Sequence, residues 1–297
     1  MRPRRILYWG TTLVIALESA VGGVWDVLRT DYVREVLEVE LGYPYYVAIL
    51  LGVWKIPGAV VLLLPGLPRL KEWAYAGVML VYTGAFASHL LAGDAAAGFG
   101  PLGFAAITAL SWYLRPEARA YSVADPLARS RPATVAYWGS TAVLGTVLLA
   151  GGVADLLRRP DTLAGMEALG YPAYFLLIIG FWKVVGAAAL VAPLPRRIVE
   201  WAYAGAFFNF SGAAVSHVVS GSAVSHVLWT AFFSLTVLAS YALWSRDRFR
   251  KPRPLAGHRP MGYSALCNTA ICTITEEGSW RDADRDRTWW RSPCWHS

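Results

Sequence analysis

Eight apolar runs, separated by short polar segments, dominate the chain between its basic N-terminus and residue 245. They fall at 6–28, 44–64, 72–92 and 99–114, and again at 135–157, 171–192, 200–220 and 223–244. A helix needs about 20 mainly apolar residues to cross a bilayer, and all but the short fourth run come close to that length. Glycine and proline inside the runs do not argue against helix, because membrane helices tolerate both. Pro44 and Pro172 suit a first helical turn, where the missing N–H costs nothing. The pattern predicts an all-α polytopic membrane protein of about eight transmembrane helices. The opening MRPRRILYWGTT, basic and then apolar, has the look of a cleavable leader. A related segment, AYWGSTAVLGTVLLAGGVADLL, recurs from residue 136, so the first run is read as a span.

The recurrence extends far beyond that segment. Residues 41–91 align with 169–219 without a gap, nearly half of the positions being identical. LGYP meets LGYP, Trp54-Lys55 meets Trp182-Lys183, EWAYAG at 72 meets EWAYAG at 200, and Ser88-His89 meets Ser216-His217. In the first helix, YWGTT at 8 meets YWGST at 137, and Asp26 meets Asp155. Four spans per copy insert both copies the same way up, so the repeats are parallel and related by an axis along the membrane normal. The expected organisation is a first four-helix repeat at 1–114, a linker at 115–134, a second repeat at 135–245 and a basic tail at 246–297. The tail mixes Trp, Arg and Asp without period, and disorder is expected there.

Charge orients this arrangement. Arginine and lysine gather at the N-terminus, in the 2–3 and 6–7 loops, in the linker and at the start of the tail, while the opposite loops hold only Arg29, Arg34, Arg158 and Arg159. This bias places both termini in the cytoplasm. It also accounts for the net charge of +7 without a nucleic-acid partner. The composition agrees: 56% hydrophobic and 16% charged, where a soluble domain carries about 25% charged residues. The three cysteines, Cys267, Cys272 and Cys294, all lie in the tail, so thiol chemistry within the bilayer is excluded.

The chemistry is sparse and sits in the spans. Lys55 lies near mid-membrane, where a lysine costs about 2.5 to 3.5 kcal/mol to insert. It must therefore face protein or water. Gly52, Gly58 and Ala59 share its helix face, and small residues let membrane helices approach closely. Lys183 repeats the arrangement with Gly180, Gly186 and Ala187. Glu18 stands at a matching depth, and an ion pair Glu18–Lys55 is expected. The aligned positions of the second copy are Thr146 or Val147, so Lys183 is expected to find Asn209, a backbone carbonyl or Glu18 itself, or to lose its proton. Glu72 and Glu200 open the third spans and read as helix-start carboxylates, with Trp73 and Trp201 as interface anchors. His89, His217 and His226 fall near the outer surface with Asp26, Asp94 and Asp155. They lack a ligand spacing such as HxxxH, so no metal site is expected. No complete catalytic constellation is visible, which argues against a lone enzyme.

LGYPxY, GxWKxxGA, RxKEWAYAG and the Ser-His at the end of the third span together resemble the DoxX-like family of small four-helix membrane proteins. The resemblance is best over 41–113 and 169–244. The chain departs from the family pattern in its fused tandem, its long tail and RRIVEWAYAG, which lacks the lysine before the glutamate. The resemblance implies a multi-pass protein of a prokaryotic plasma (inner) membrane, distantly linked to DoxX, a subunit associated with thiosulfate:quinone oxidoreductase, and to MauE-like proteins. The expected function is therefore an accessory or quinone/lipid-binding subunit of a membrane redox system. Quinone is the candidate cofactor, and the lipid bilayer and a redox subunit are the partners. The alternative is a small-solute or proton-coupled transporter, which a midplane ion pair and a two-fold repeat would suit.

Overall fold

The computed structural model describes residues 3–116 and 131–245. Eight long helices carry the fold: α1 (Pro3–Leu28), α2 (Tyr45–Leu63), α3 (Pro68–Ala92), α4 (Ala95–Leu114), α5 (Arg131–Leu156), α6 (Phe175–Val191), α7 (Arg196–Val219) and α8 (Val224–Ser245). A helical segment over 31–40 joins α1 to α2, and a short helix, Pro160–Ala168, joins α5 to α6. The fourth helix is longer than its apolar run suggested, because Asp94 caps it by accepting from the Ala97 N–H and Pro101 is absorbed within it. Pro44 precedes α2 in extended conformation and Pro172 lies three residues before α6. Pro68 and Pro160 do take a first helical position. The second repeat opens at Arg131, inside the stretch expected to be linker. The rest of that linker, the tail and its three cysteines lie outside the described residues.

Among the described residues, six helices are long and apolar enough to cross a membrane: α1, α2, α3, α4, α5 and α8. The 17 residues of α6 are apolar but short. Arg196, Arg197, Glu200 and Asn209 make α7 more polar than the other long helices. The side-chain distribution is inverted relative to a soluble bundle. Glu72 and Glu200 are fully buried, as are Thr12, Ser111 and Ser240, while Leu17, Leu28, Val60, Phe99 and Leu235 stand out on the surface. Such a surface is satisfied by lipid tails, and these five buried polar residues find partners inside, as a span requires.

Each repeat packs as a four-helix bundle, α1–α4 and α5–α8, in which the first two helices make the tightest pair. Glycine permits this. A Cβ on Gly52 would stand 2.4 Å from the Gly23 carbonyl oxygen, and one on Gly180 would stand 2.9 Å from that of Gly152. Gly58, on the expected stripe, meets nothing within 4 Å and faces a cavity instead.

The bundles join through α3 and α7, crossing where Gly77 lies under Phe208 and Gly205 under Leu80. At the end opposite the arginines the two LGYPxY motifs interlock. The Tyr46 hydroxyl donates to the Leu169 carbonyl at 2.7 Å, and the Tyr174 hydroxyl to the Leu41 carbonyl at 2.6 Å. Tyr43 and Tyr171 hydrogen-bond Ser88 and Ser216 at 2.8 and 2.9 Å. Such reciprocal contacts are the mark of two-fold symmetry. Gly42 and Gly170 turn the chain there at φ 70° and 80°, which side chains rarely adopt. Burial raises the Tyr43, Tyr171 and Tyr174 hydroxyls above the ordinary tyrosine value, so they remain donors.

Gly52→Ala is expected to destabilise the protein by about 1 to 3 kcal/mol, the usual cost of overpacking. Thermal unfolding in mild detergent reads this directly. Gly58→Ala should leave the midpoint unchanged.

Candidate functional site

Glu18 and Asp26 are eight residues apart on α1, two turns along one face. Gly22 lies between them and leaves room for the lysine head: a Cβ there would meet Lys55 Nζ at 2.7 Å and Glu18 Oε1 at 3.1 Å. From α2, Lys55 Nζ reaches Asp26 Oδ2 at 3.1 Å and Glu18 Oε1 at 3.6 Å. The second Glu18 oxygen accepts from the Tyr82 hydroxyl of α3. Phe104 of α4 stacks on the Tyr82 ring. Of the three charged groups Glu18 is the most open, its side chain 27% exposed against 11% for Lys55 and 9% for Asp26.

The expected Glu18–Lys55 pair is thus present, with Asp26 as the nearer carboxylate. In the second repeat Lys183 Nζ binds Asp155 Oδ2 at 2.7 Å. This replaces the expectation of Asn209, a carbonyl or Glu18. The reason is directional. Side chains lean toward their helix's N-terminus, and α2 and α6 start at the tyrosine end. Each lysine therefore leans toward the far end of α1 or α5, where the aspartates stand. Matching depths by residue count overlooked that lean. The aligned positions of Asp26 and Asp155 were the signal that could have found the pairs.

The pairs are alike but the repeats are not. Val147 and Phe210 stand where the first repeat has Glu18 and Tyr82, so the carboxylate and its hydroxyl partner disappear together. Both lysines line one cavity of about 1330 Å³ between the repeats. Glu18, Asp26, Tyr82 and Asn209 also border it, and apolar side chains make most of its wall. Trp54 reaches across from α2, its ring 5.1 Å from Phe208 and close against Gly212. The arrangement offers a largely apolar space bordered by ammonium, carboxyl and phenol groups. It can hold an amphiphile by its tail and meet its oxygens with donors.

Glu72 is not a helix-start carboxylate facing water. It is fully buried in the fifth position of α3 and bound on all sides. Arg115 Nη2 donates to Oε1 at 2.5 Å, and the Trp112 and Trp201 indoles donate to Oε2 at 2.7 and 2.9 Å. Arg197 of the other repeat stands 3.7 Å away. Glu200 is equally buried and accepts from the Tyr241 hydroxyl at 3.5 Å. The tryptophans expected as interface anchors join the repeats instead. Trp201 crosses to Glu72, and Trp73 packs edge-on to Tyr241 with ring centres 5.2 Å apart. The buried arginine at 115 fixes the role of Glu72, and it lies 43 residues away, beyond local sequence reasoning.

At the tyrosine end, His89 is buried and borders the cavity, with its Nδ1 lacking a hydrogen-bond partner. His217 Nδ1 meets Ser222 Oγ at 3.0 Å, and its ring lies 5.1 Å from His226. Asp94 serves as a helix cap. Among the described residues no three His, Cys, Asp or Glu side chains gather as a metal site.

Fold and site together define a multi-pass membrane protein of two parallel four-helix repeats with a shared cavity between them. The DoxX-like family profile matches residues 10–111 and again 139–240. The chain belongs to the DoxX-like family, as a tandem of two such domains. No curated protein and no solved structure matches the chain.

Glu72→Gln should destabilise by about 3 kcal/mol, because removing one partner strands a buried charge. Adding Arg115→Gln should recover most of that loss in the same thermal unfolding assay.

Proposed function

We propose that the protein is a quinone- or lipid-binding subunit of a membrane redox system, holding an amphiphile between its two repeats. The observation that supports this is the cavity. Its volume of about 1330 Å³ exceeds the 300 to 1,000 Å³ of ordinary small-molecule sites, roughly stated. Its walls are apolar, and polar groups converge from α1, α2 and α3. A single tail bearing an oxygen-rich head fits that division of surfaces. The family link to a quinone-dependent oxidoreductase points the same way. The arginine bias argues for a prokaryotic plasma membrane with both termini in the cytoplasm.

A second reading, proton-coupled or small-solute transport, is favoured by one observation: the first repeat carries two carboxylates for one lysine within its spans. Against it, polar lining is confined to a few residues. Lysine-dependent uptake into sealed vesicles would favour transport.

Native mass spectrometry of protein gently extracted from its own membrane tests the proposal. A stoichiometric quinone or lipid is expected, and the mass tells which. Gly84 borders the cavity and meets nothing within 4 Å. Gly84→Phe should therefore lower ligand occupancy at least tenfold while the protein still inserts. A ligand-free wild-type protein, or unchanged occupancy in Gly84→Phe, would contradict the proposal.

A further inference from the structure

We infer that the first repeat alone holds an exchangeable proton, shared within the Glu18–Asp26–Lys55–Tyr82 cluster and delivered to an oxygen of the molecule in the cavity. This rests on the reading of the cavity as a binding site.

Charge balance comes first. Lys183 and Asp155 make a neutral pair, but Lys55 faces two carboxylates. An uncompensated charge deep in a membrane is costly. One proton on the pair of carboxyls restores neutrality, and it belongs to the coupled pair, not to either residue. Among the described residues, no other cation is paired with these carboxylates. Around Glu18, α2 presents Lys55, α3 presents Tyr82 and α4 presents the Phe104 ring. Glu40 and Tyr32 of the 31–40 segment border the cavity, and Lys183 lies on its far wall with its own aspartate. A metal cation in place of the proton would need a cage of oxygen ligands. Both Glu18 oxygens already face donors, Lys55 and Tyr82.

The second observation is His89. Its Nδ1 is buried, unpartnered and on the cavity wall. It stands seven residues beyond Tyr82, two turns along the same helix face and about 10 Å away along the axis. Its counterpart His217 is satisfied by Ser222. The first repeat has Asp94 in that place, spent on its helix cap. So the first repeat has Glu18, Tyr82 and an open histidine together, and the second repeat has none of the three.

The transfer balances simply. The carboxyl O–H breaks, its electron pair stays on the carboxylate, and the proton bonds to the ligand's oxygen. The carboxylate then faces the Lys55 ammonium until a proton arriving from the tyrosine end, where His89 stands on the cavity wall, restores it.

Infrared difference spectroscopy of the full-length protein in lipid reads the carboxylic-acid C=O stretch directly. One such signal at neutral pH is expected in the wild type. Glu18→Gln and Asp26→Asn should each abolish it, since either leaves one carboxylate per lysine. Tyr82→Phe should shift it in a protein that folds normally. His89→Gln should retain it but slow its hydrogen–deuterium exchange at least tenfold. Asp155→Asn should leave it unchanged. Absence of the signal in wild type, which a bound alkali cation would produce, overturns the inference. So does its survival in Glu18→Gln or its loss in Asp155→Asn. Native mass spectra of the same samples separate the two proposals. Bound amphiphile without the signal removes the proton and leaves the cavity reading standing. The signal in an empty protein does the reverse.

Discussion

An ammonium group in the middle of a membrane has to find a carboxylate, and that requirement organises each repeat. Lys55 and Lys183 cannot face lipid without a cost of about 2.5 to 3.5 kcal/mol. Each turns inward to an aspartate on the preceding span, at 3.1 and 2.7 Å. The contact works only if the helices are close. Gly23 with Gly52 and Gly152 with Gly180 bring the backbones together, and bulkier residues there would push the partners apart. The ion pair thus specifies which helix pairs with which, and packing follows. Buried ion pairs are uneven contributors to stability, but their use in fixing register is well attested.

Duplication supplies the second level of order. The two bundles meet through the same motifs from both sides: tyrosines at one end, glycines at mid-depth, a buried glutamate with tryptophans at the other. The contacts at the tyrosine end are nearly symmetrical. At the arginine end Glu72 gathers two indoles and two arginines, and Glu200 accepts from Tyr241. The mid-membrane site diverges most. One copy keeps a plain lysine–aspartate pair, and the other adds Glu18 and Tyr82. A duplicated fold can carry its structural pair in both halves while one half takes on chemistry.

The helices, the repeat and the inward lysines were legible in the sequence because each rests on a local rule: run length, internal identity, or the cost of a buried charge. Glu18 was legible by depth. The pairing of Asp26 and Asp155 with the lysines was missed because counting residues ignores the lean of side chains along antiparallel helices. Glu72 was read as a helix-start carboxylate, since a carboxylate near an N-terminus is favourable there by itself. What overrides that reading is Arg115, brought in by the packing of α4 on α3. The cavity had no sequence signature at all. It exists because glycines such as Gly58 and Gly84 leave space between the bundles, and a glycine that opens a void looks the same in sequence as one that closes a contact.

The central claim, that a lysine–aspartate pair holds the first two spans of each repeat together, is tested most directly by exchanging the charges. Lys183→Asp and Asp155→Lys are made singly and together in the full-length protein, and thermal unfolding is followed in mild detergent. Each single change places two like charges in one buried site and should lower the midpoint sharply. The combined change should recover most of the loss. A double variant no more stable than the worse single one would show that the residues are not paired and would contradict the account.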